Sequence, residues 1–152
     1  SCSSIYQDQD SFDKLLAEED DFFNDKQGLA GYRDTVHKQR FNLIKLLVDL
    51  KQKGKVVAAI GAPSRGTTLV NYCGIDSSLI TSIGEVKGSH KVSKYMPGTA
   101  IPVVDESEIL ESQPDYILLL SWHIADDLIK ILKKKGLNSK FIVPLPMPEI
   151  RD

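Results

Sequence analysis

The chain reads as an α/β protein: a Rossmann-like three-layer sandwich around a mostly parallel five-stranded sheet, preceded by an α-helical N-terminal extension. Three observations predict this. Short, apolar, β-branched runs at residues 56–60 and 116–120 have the pattern of strands buried on both faces. Strands alternate with helices through the second half, which implies parallel strands joined by right-handed crossovers. The first third carries apolar residues at helical spacing.

Residues 1–9 read as a flexible lead. Ser11 can cap a helix reaching residue 24, with Phe12, Leu15, Leu16, Phe22 and Phe23 on it. Residues 26–28 read as a break. Between Tyr32 and Lys53, Val36, Leu43, Leu46, Leu47 and Leu50 recur at helical spacing, and Gly54 ends the helix. The expected organisation is a helical extension at residues 1–53, packing on an α/β domain at 54–152.

The first strand ends at Gly61. Ala62, Pro63, Ser64, Arg65 and Gly66 make a tight loop, Thr67 or Thr68 can cap the next helix, and Gly74 suits its C-terminal stop. Further strands are expected at 79–83, 101–104, 116–120 and 141–143, the last stopping at Pro144. Residues 85–98 are polar and basic and read as a long functional loop. Asp105 and Glu108 have capping-box spacing for a helix at 105–112. An amphipathic helix at 124–135 ends at Gly136.

A buried strand, a glycine-bounded loop and a helix start together make an anion site in open α/β sheets. Loop N–H groups and the positive helix end converge there. Arg65 adds a bidentate phosphate partner. Gly61 and Gly66 have P-loop spacing, yet Thr67 and Thr68 stand where the lysine is required, which argues against an ATPase or GTPase. Ala59 and Pro63 break the dinucleotide fingerprint. The alternative is that these glycines serve only a sharp turn.

The 152 residues suffice for one domain with an ample core. A formal charge of -2 argues against a nucleic-acid surface. The basic clusters at 51–55 and 133–135 read as solvated helix ends. No apolar run is long enough to span a bilayer, and no signal peptide is visible. Cys2 and Cys73 match no metal spacing; Cys73 reads as a small packed residue, and a reduced cytoplasmic setting is the default. Ser1 stands in place of Met, so the expectation is a piece of a longer protein.

Four segments in order resemble one family: GAPSRGTTLVNYCGI at 61–75, YMPGTAIPV at 95–103, PDYILLLSWHIADDL at 114–128 and KFIVPLP at 140–146. The family is the C-terminal domain of S-adenosylmethionine-dependent sugar C-methyltransferases, and the resemblance runs from about residue 31 to 150. It implies a larger protein in which this domain faces a methyl-donor domain across a cleft that holds a nucleotide sugar. It makes Gly61, Ser64, Arg65, Gly66, Thr67 and Asn71 candidate substrate contacts. Tyr72, Trp122 and His123 would border the cleft, and the loop at 91–99 would reach over it. The chain departs from the family pattern at residues 91–93, Ala100, His123 and Gly84–Glu85.

S-adenosylmethionine is expected in the parent protein and not in this chain, which lacks the acidic-glycine-rich donor signature, the cysteine cluster of the zinc lobe and the catalytic histidine–glutamate–histidine run. No catalytic residue is assigned here. His37 reads as a surface residue; His90, in the polar loop, could touch a phosphate but reads first as a solvated side chain. His123 follows a buried strand at its carboxyl end, open between ligand contact and helix-start packing. Trp122 is open between stacking and core packing, and Asp126 and Asp127 complement the helix dipole. The leading function is thus nucleotide-sugar binding. A stand-alone nucleotide or coenzyme A module and a dimerisation domain using the helix at 32–53 are the alternatives.

Overall fold

The computed structural model describes residues 13–14 and 26–152. The flexible lead and nearly all of the helix expected at 11–24 lie outside them. The chain divides into two units, Ser1–Lys38 and Gln39–Asp152. Helix α1 spans Lys26–Gln52. It therefore begins where the sequence suggests a break: Gly28 and Gly31 stand within a run of good helix formers, and an isolated glycine costs a helix only about 1 kcal/mol. The part of α1 before residue 39 is mostly exposed and carries a Thr35 hydroxyl that donates to Gly31 O.

In the second unit, strands β1 (Val57–Ile60), β2 (Ile83–Glu85), β3 (Lys94–Tyr95), β4 (Pro102–Asp105), β5 (Tyr116–Leu119), β6 (Lys140–Val143) and β7 (Glu149–Arg151) form one sheet. Its order is β3-β4-β2-β1-β5-β6-β7. The parallel strands are β4, β2, β1, β5 and β6; β3 and β7 are antiparallel additions at the two edges. The sheet thus has seven strands rather than five. The added strands are short, polar and at most partly buried, so they leave no apolar run to read.

Alternation along the strands splits the core in two. Val57, Ala59 and Leu118 face Leu43 and Leu47 of α1 and Val70 of α2 (Ser64–Cys73). Ala58, Ile60, Ile117 and Leu119 face Ile109 of α3 (Glu106–Ser112) and Ile129 and Leu132 of α4 (Ala125–Lys134). Two helical layers therefore sandwich a sheet whose central strand β1 is buried throughout. This is the three-layer arrangement expected from the alternating pattern.

Local signals hold in several places. Asp105 and Glu108 form the capping box of α3. Gly74 closes α2 in the left-handed region, at φ 68°, and Cys73 is buried. Three readings need correction. Thr67 and Thr68 do not cap α2, which begins three residues earlier at Ser64 after Pro63; their hydroxyls donate back to Pro63 O and Ser64 O. Residues 79–82 precede β2 rather than form it, because Asp76 organises a turn there through Ser78. Lys135 is not simply solvated: it pairs with the buried Glu106 carboxylate at 2.5 Å.

Candidate functional site

The strand order reverses between β1 and β5. β2 and β4 lie to one side of β1, and β5 and β6 to the other. In such a sheet the loops leaving the carboxyl ends of the two central strands diverge and open a crevice, the usual ligand position of the fold. The loop after β1 (residues 61–63) leads into α2, and the one after β5 leads into a short 3-10 turn, Trp122–Ile124.

The glycines allow these two loops to touch. Gly61 has φ 85°, and a Cβ there would lie 2.9 Å from Ser121 Oγ. A Cβ on Gly66 would lie 2.8 Å from Leu120 Cβ. α2 therefore starts directly against the end of β5. No side chain caps that start, since Pro63 occupies the N-cap. Its first-turn N–H groups and positive dipole end face the crevice.

Arg65 projects from the first turn of α2 and places Nη2 3.4 Å from His123 Nε2. Arginine has only donors, so in this contact the imidazole nitrogen can only be the acceptor. A pair of nitrogen groups, one permanently cationic, thus bridges the switch point.

On the β4 side of this bridge lies a cavity of about 430 Å3. Ser64 and Thr67 form its α2 wall, and Lys94, Tyr95, Met96 and Pro97 the opposite one. Of the loop expected at 91–99, Lys91 and Lys94–Pro97 line this cavity, and Lys94–Tyr95 is strand. On the β6 side, Trp122 and His123 line a smaller hollow of about 240 Å3 together with Asp126 and Arg151. Asp126 pairs there with Arg151 at 2.7 Å. Trp122 also packs against the core of that face.

The remaining candidates lie apart from the bridge. Asn71 donates to Thr67 O and to Pro97 O, both at 2.9 Å. Tyr72 holds the Arg40 guanidinium 5.4 Å from its ring centre and does not line the cavity. Sequence reasoning noted Glu85 and Lys91 only as departures and as part of the 91–99 loop, and missed their hold on the loop after β1. Glu85 ends β2 and accepts from Ala62 N at 3.0 Å and Val86 N at 3.1 Å. Lys91 donates to Ala62 O at 2.7 Å and lies 3.9 Å from Glu85. Together they hold the loop after β1. An acid at the carboxyl end of the second strand was the available signal. Among the described residues no group of His, Cys, Asp and Glu is arranged to hold a metal, and no helix is long and apolar enough to cross a membrane.

A doubly wound sheet with a bridged crevice at its switch point defines the class, a Rossmann-like domain. More particularly, residues 3–146 match the model of the C-methyltransferase C-terminal domain, and the chain belongs to that family. It is 32% identical over 144 residues to the C-methyltransferase NovU of Streptomyces niveus, a match covering 90% of this chain and 33% of NovU. The chain thus spans about a third of the length of that curated relative.

Proposed function

We propose that this domain binds the nucleotide-sugar substrate of a sugar C-methyltransferase, with the diphosphate at the switch point. The observation that carries the reading is the approach of Arg65 to His123 beside the uncapped start of α2. Phosphate oxygens placed there would take donors from Arg65 and from the first-turn N–H groups, with His123 beside them. The neighbouring cavity, with apolar Met96 and Pro97 and the hydroxyls of Ser64 and Thr67, suits an organic group attached to that phosphate.

The bridging arginine and histidine favour a phosphate over the cationic sulfonium of S-adenosylmethionine. The donor belongs on a separate methyl-donor domain of the whole protein, which would also supply the base for proton abstraction. This domain then orients and presents the sugar and is itself not catalytic. A cytoplasmic setting, where activated sugars are made and thiols stay reduced, accords with the unpaired Cys73.

Thermal shift and calorimetric titration against thymidine- and guanosine-diphospho sugars, NAD, coenzyme A and S-adenosylmethionine test the reading. A ligand that binds only the folded state raises the melting temperature with its occupancy. Stabilisation by a diphospho sugar and not by the others is expected. Stabilisation by NAD or coenzyme A alone would replace it with a stand-alone nucleotide module.

A further inference from the structure

The wall of the cavity opposite α2 is made by the loop between β2 and β4, and this loop is tied down at two points. Lys91 fastens its middle to Ala62 O. Asn71 fastens its end: the carboxamide donates one bond to Pro97 O and another within α2 to Thr67 O. An amide nitrogen has two protons, so its donor capacity is fully used. Gly98 sits at φ 78°, and a Cβ there would overlap Asn71 Oδ1. The Asn71 side chain therefore fills the space beneath the turn at residues 97–99, where only glycine leaves room for it. The turn is closed internally as well, by Thr99 N donating to Met96 O and Met96 N donating to Ile101 O.

We infer that Asn71 is a positioning residue. It fastens the 97–99 turn to α2 and so fixes the cavity wall that faces Ser64 and Thr67, acting through the turn rather than by touching a ligand. A wall held before the ligand arrives spares the complex the cost of ordering that loop. The functional consequence rests on the reading of this crevice as a nucleotide site; the tether stands independently of it.

Hydrogen exchange on the 152-residue chain reads the tether directly. Asn71→Ala removes both donors without adding charge. It should speed exchange at the Met96 and Thr99 amides by about tenfold or more, while the core amides of Leu118 and Ile142 hold their rates. Equal acceleration everywhere, or no change at Met96 and Thr99, would overturn the inference. Gly98→Ala supplies the second variant. It should loosen the turn when Asn71 is intact and add less when combined with Asn71→Ala, because truncation removes the overlap and leaves only the strain of a side chain at the left-handed φ. Strictly additive effects would also overturn it.

Thymidine diphosphate and inorganic pyrophosphate serve as probes of the consequence. Asn71→Ala should weaken thymidine diphosphate by about tenfold and leave pyrophosphate, which needs no wall, unchanged. Equal weakening of both would make Asn71 a phosphate contact and end the positioning role. If the unaltered chain binds neither probe, the nucleotide reading fails while the exchange result still decides the tether.

Discussion

Arg65 and His123 are 58 residues apart in sequence, yet their side-chain nitrogens meet at 3.4 Å across the point where the strand order reverses. One residue stands just after β1 and the other just after β5, so the contact is a product of the doubly wound topology. The arginine is exposed, and its partner lies at the rim of a hollow. Neither is needed to hold the sheet together, which frees both to be tested.

Arg65→Ala should weaken binding of a thymidine-diphospho sugar by about tenfold or more, the loss of a charge-assisted bond. The melting temperature of the free chain should hardly move, because the side chain is exposed. Isothermal titration of the variant beside the unaltered chain measures this. Equal affinities would take Arg65 out of the site.

Gly66→Ala addresses the close contact behind the crevice. The new Cβ would meet Leu120 Cβ at 2.8 Å and Leu120 O at 3.3 Å, neither of which can swing aside. Overpacking of this kind costs about 1–3 kcal/mol, read as a lower urea midpoint with an unchanged slope. A midpoint equal to that of the parent would mean that α2 does not rest on β5 as described.

The Lys55–Asp115 pair predicts a two-sided pH dependence. The Val56 N–H, and after it Lys55, holds the Asp115 carboxyl below the usual carboxylate range. Asp115 in turn raises Lys55, first through the hydrogen bond and then by its charge. A depressed carboxylate contributes stability above its unfolded pKa, about 3.9, and loses it as pH falls through the folded value. A raised lysine contributes fully below its unfolded pKa, about 10.4, and loses it as pH rises through the folded value. The pair is thus at full strength around neutrality and fades toward both extremes. Asp115→Asn should be less stable than the parent at neutral pH and converge on it in acid; in alkali the gap should narrow only by the Lys55 share, because the Val56 N–H still donates to the carboxylate there. Denaturant unfolding at a series of pH values checks this, and parallel curves throughout would exclude the pair as the cause. Because both side chains are partly exposed, salt should shrink the difference.

Cys73 should be a poor nucleophile. Burial pushes its thiol up, against a smaller opposing effect of the Arg40 charge. In a Cys2→Ser background, alkylation by iodoacetamide at mildly alkaline pH should be slow and should accelerate sharply in urea. Fast labelling of the native chain would show that the thiol is open to solvent.

Much of this architecture is legible in the sequence because it is local. The apolar runs of β1 and β5, the capping box at Asp105 and Glu108 and the left-handed stop at Gly74 each depend on neighbours a few residues away. The helix start at Ser64 is obscured by the two threonines that follow it, although Pro63 already supplies the pre-set φ of a helix entry. What stays hidden is long-range. Nothing near Asn71 announces that its amide serves Pro97, 26 residues on. Nothing near Glu85 announces that its carboxylate holds Ala62, 23 residues back. Such contacts exist only once the crossovers have brought separate strand ends together.

The two outermost strands have a consequence for the solution behaviour of the domain. Open ladder groups at a sheet margin invite pairing with a second molecule, the first step toward aggregates. Here each parallel margin is finished by a short reversed strand, Lys94–Tyr95 at one end and Glu149–Arg151 at the other. Each carries charge, and each is too brief to template another chain. The parallel strands behind them, slow to pair and sticky while unpaired, are thereby shielded from intermolecular pairing in the folded state.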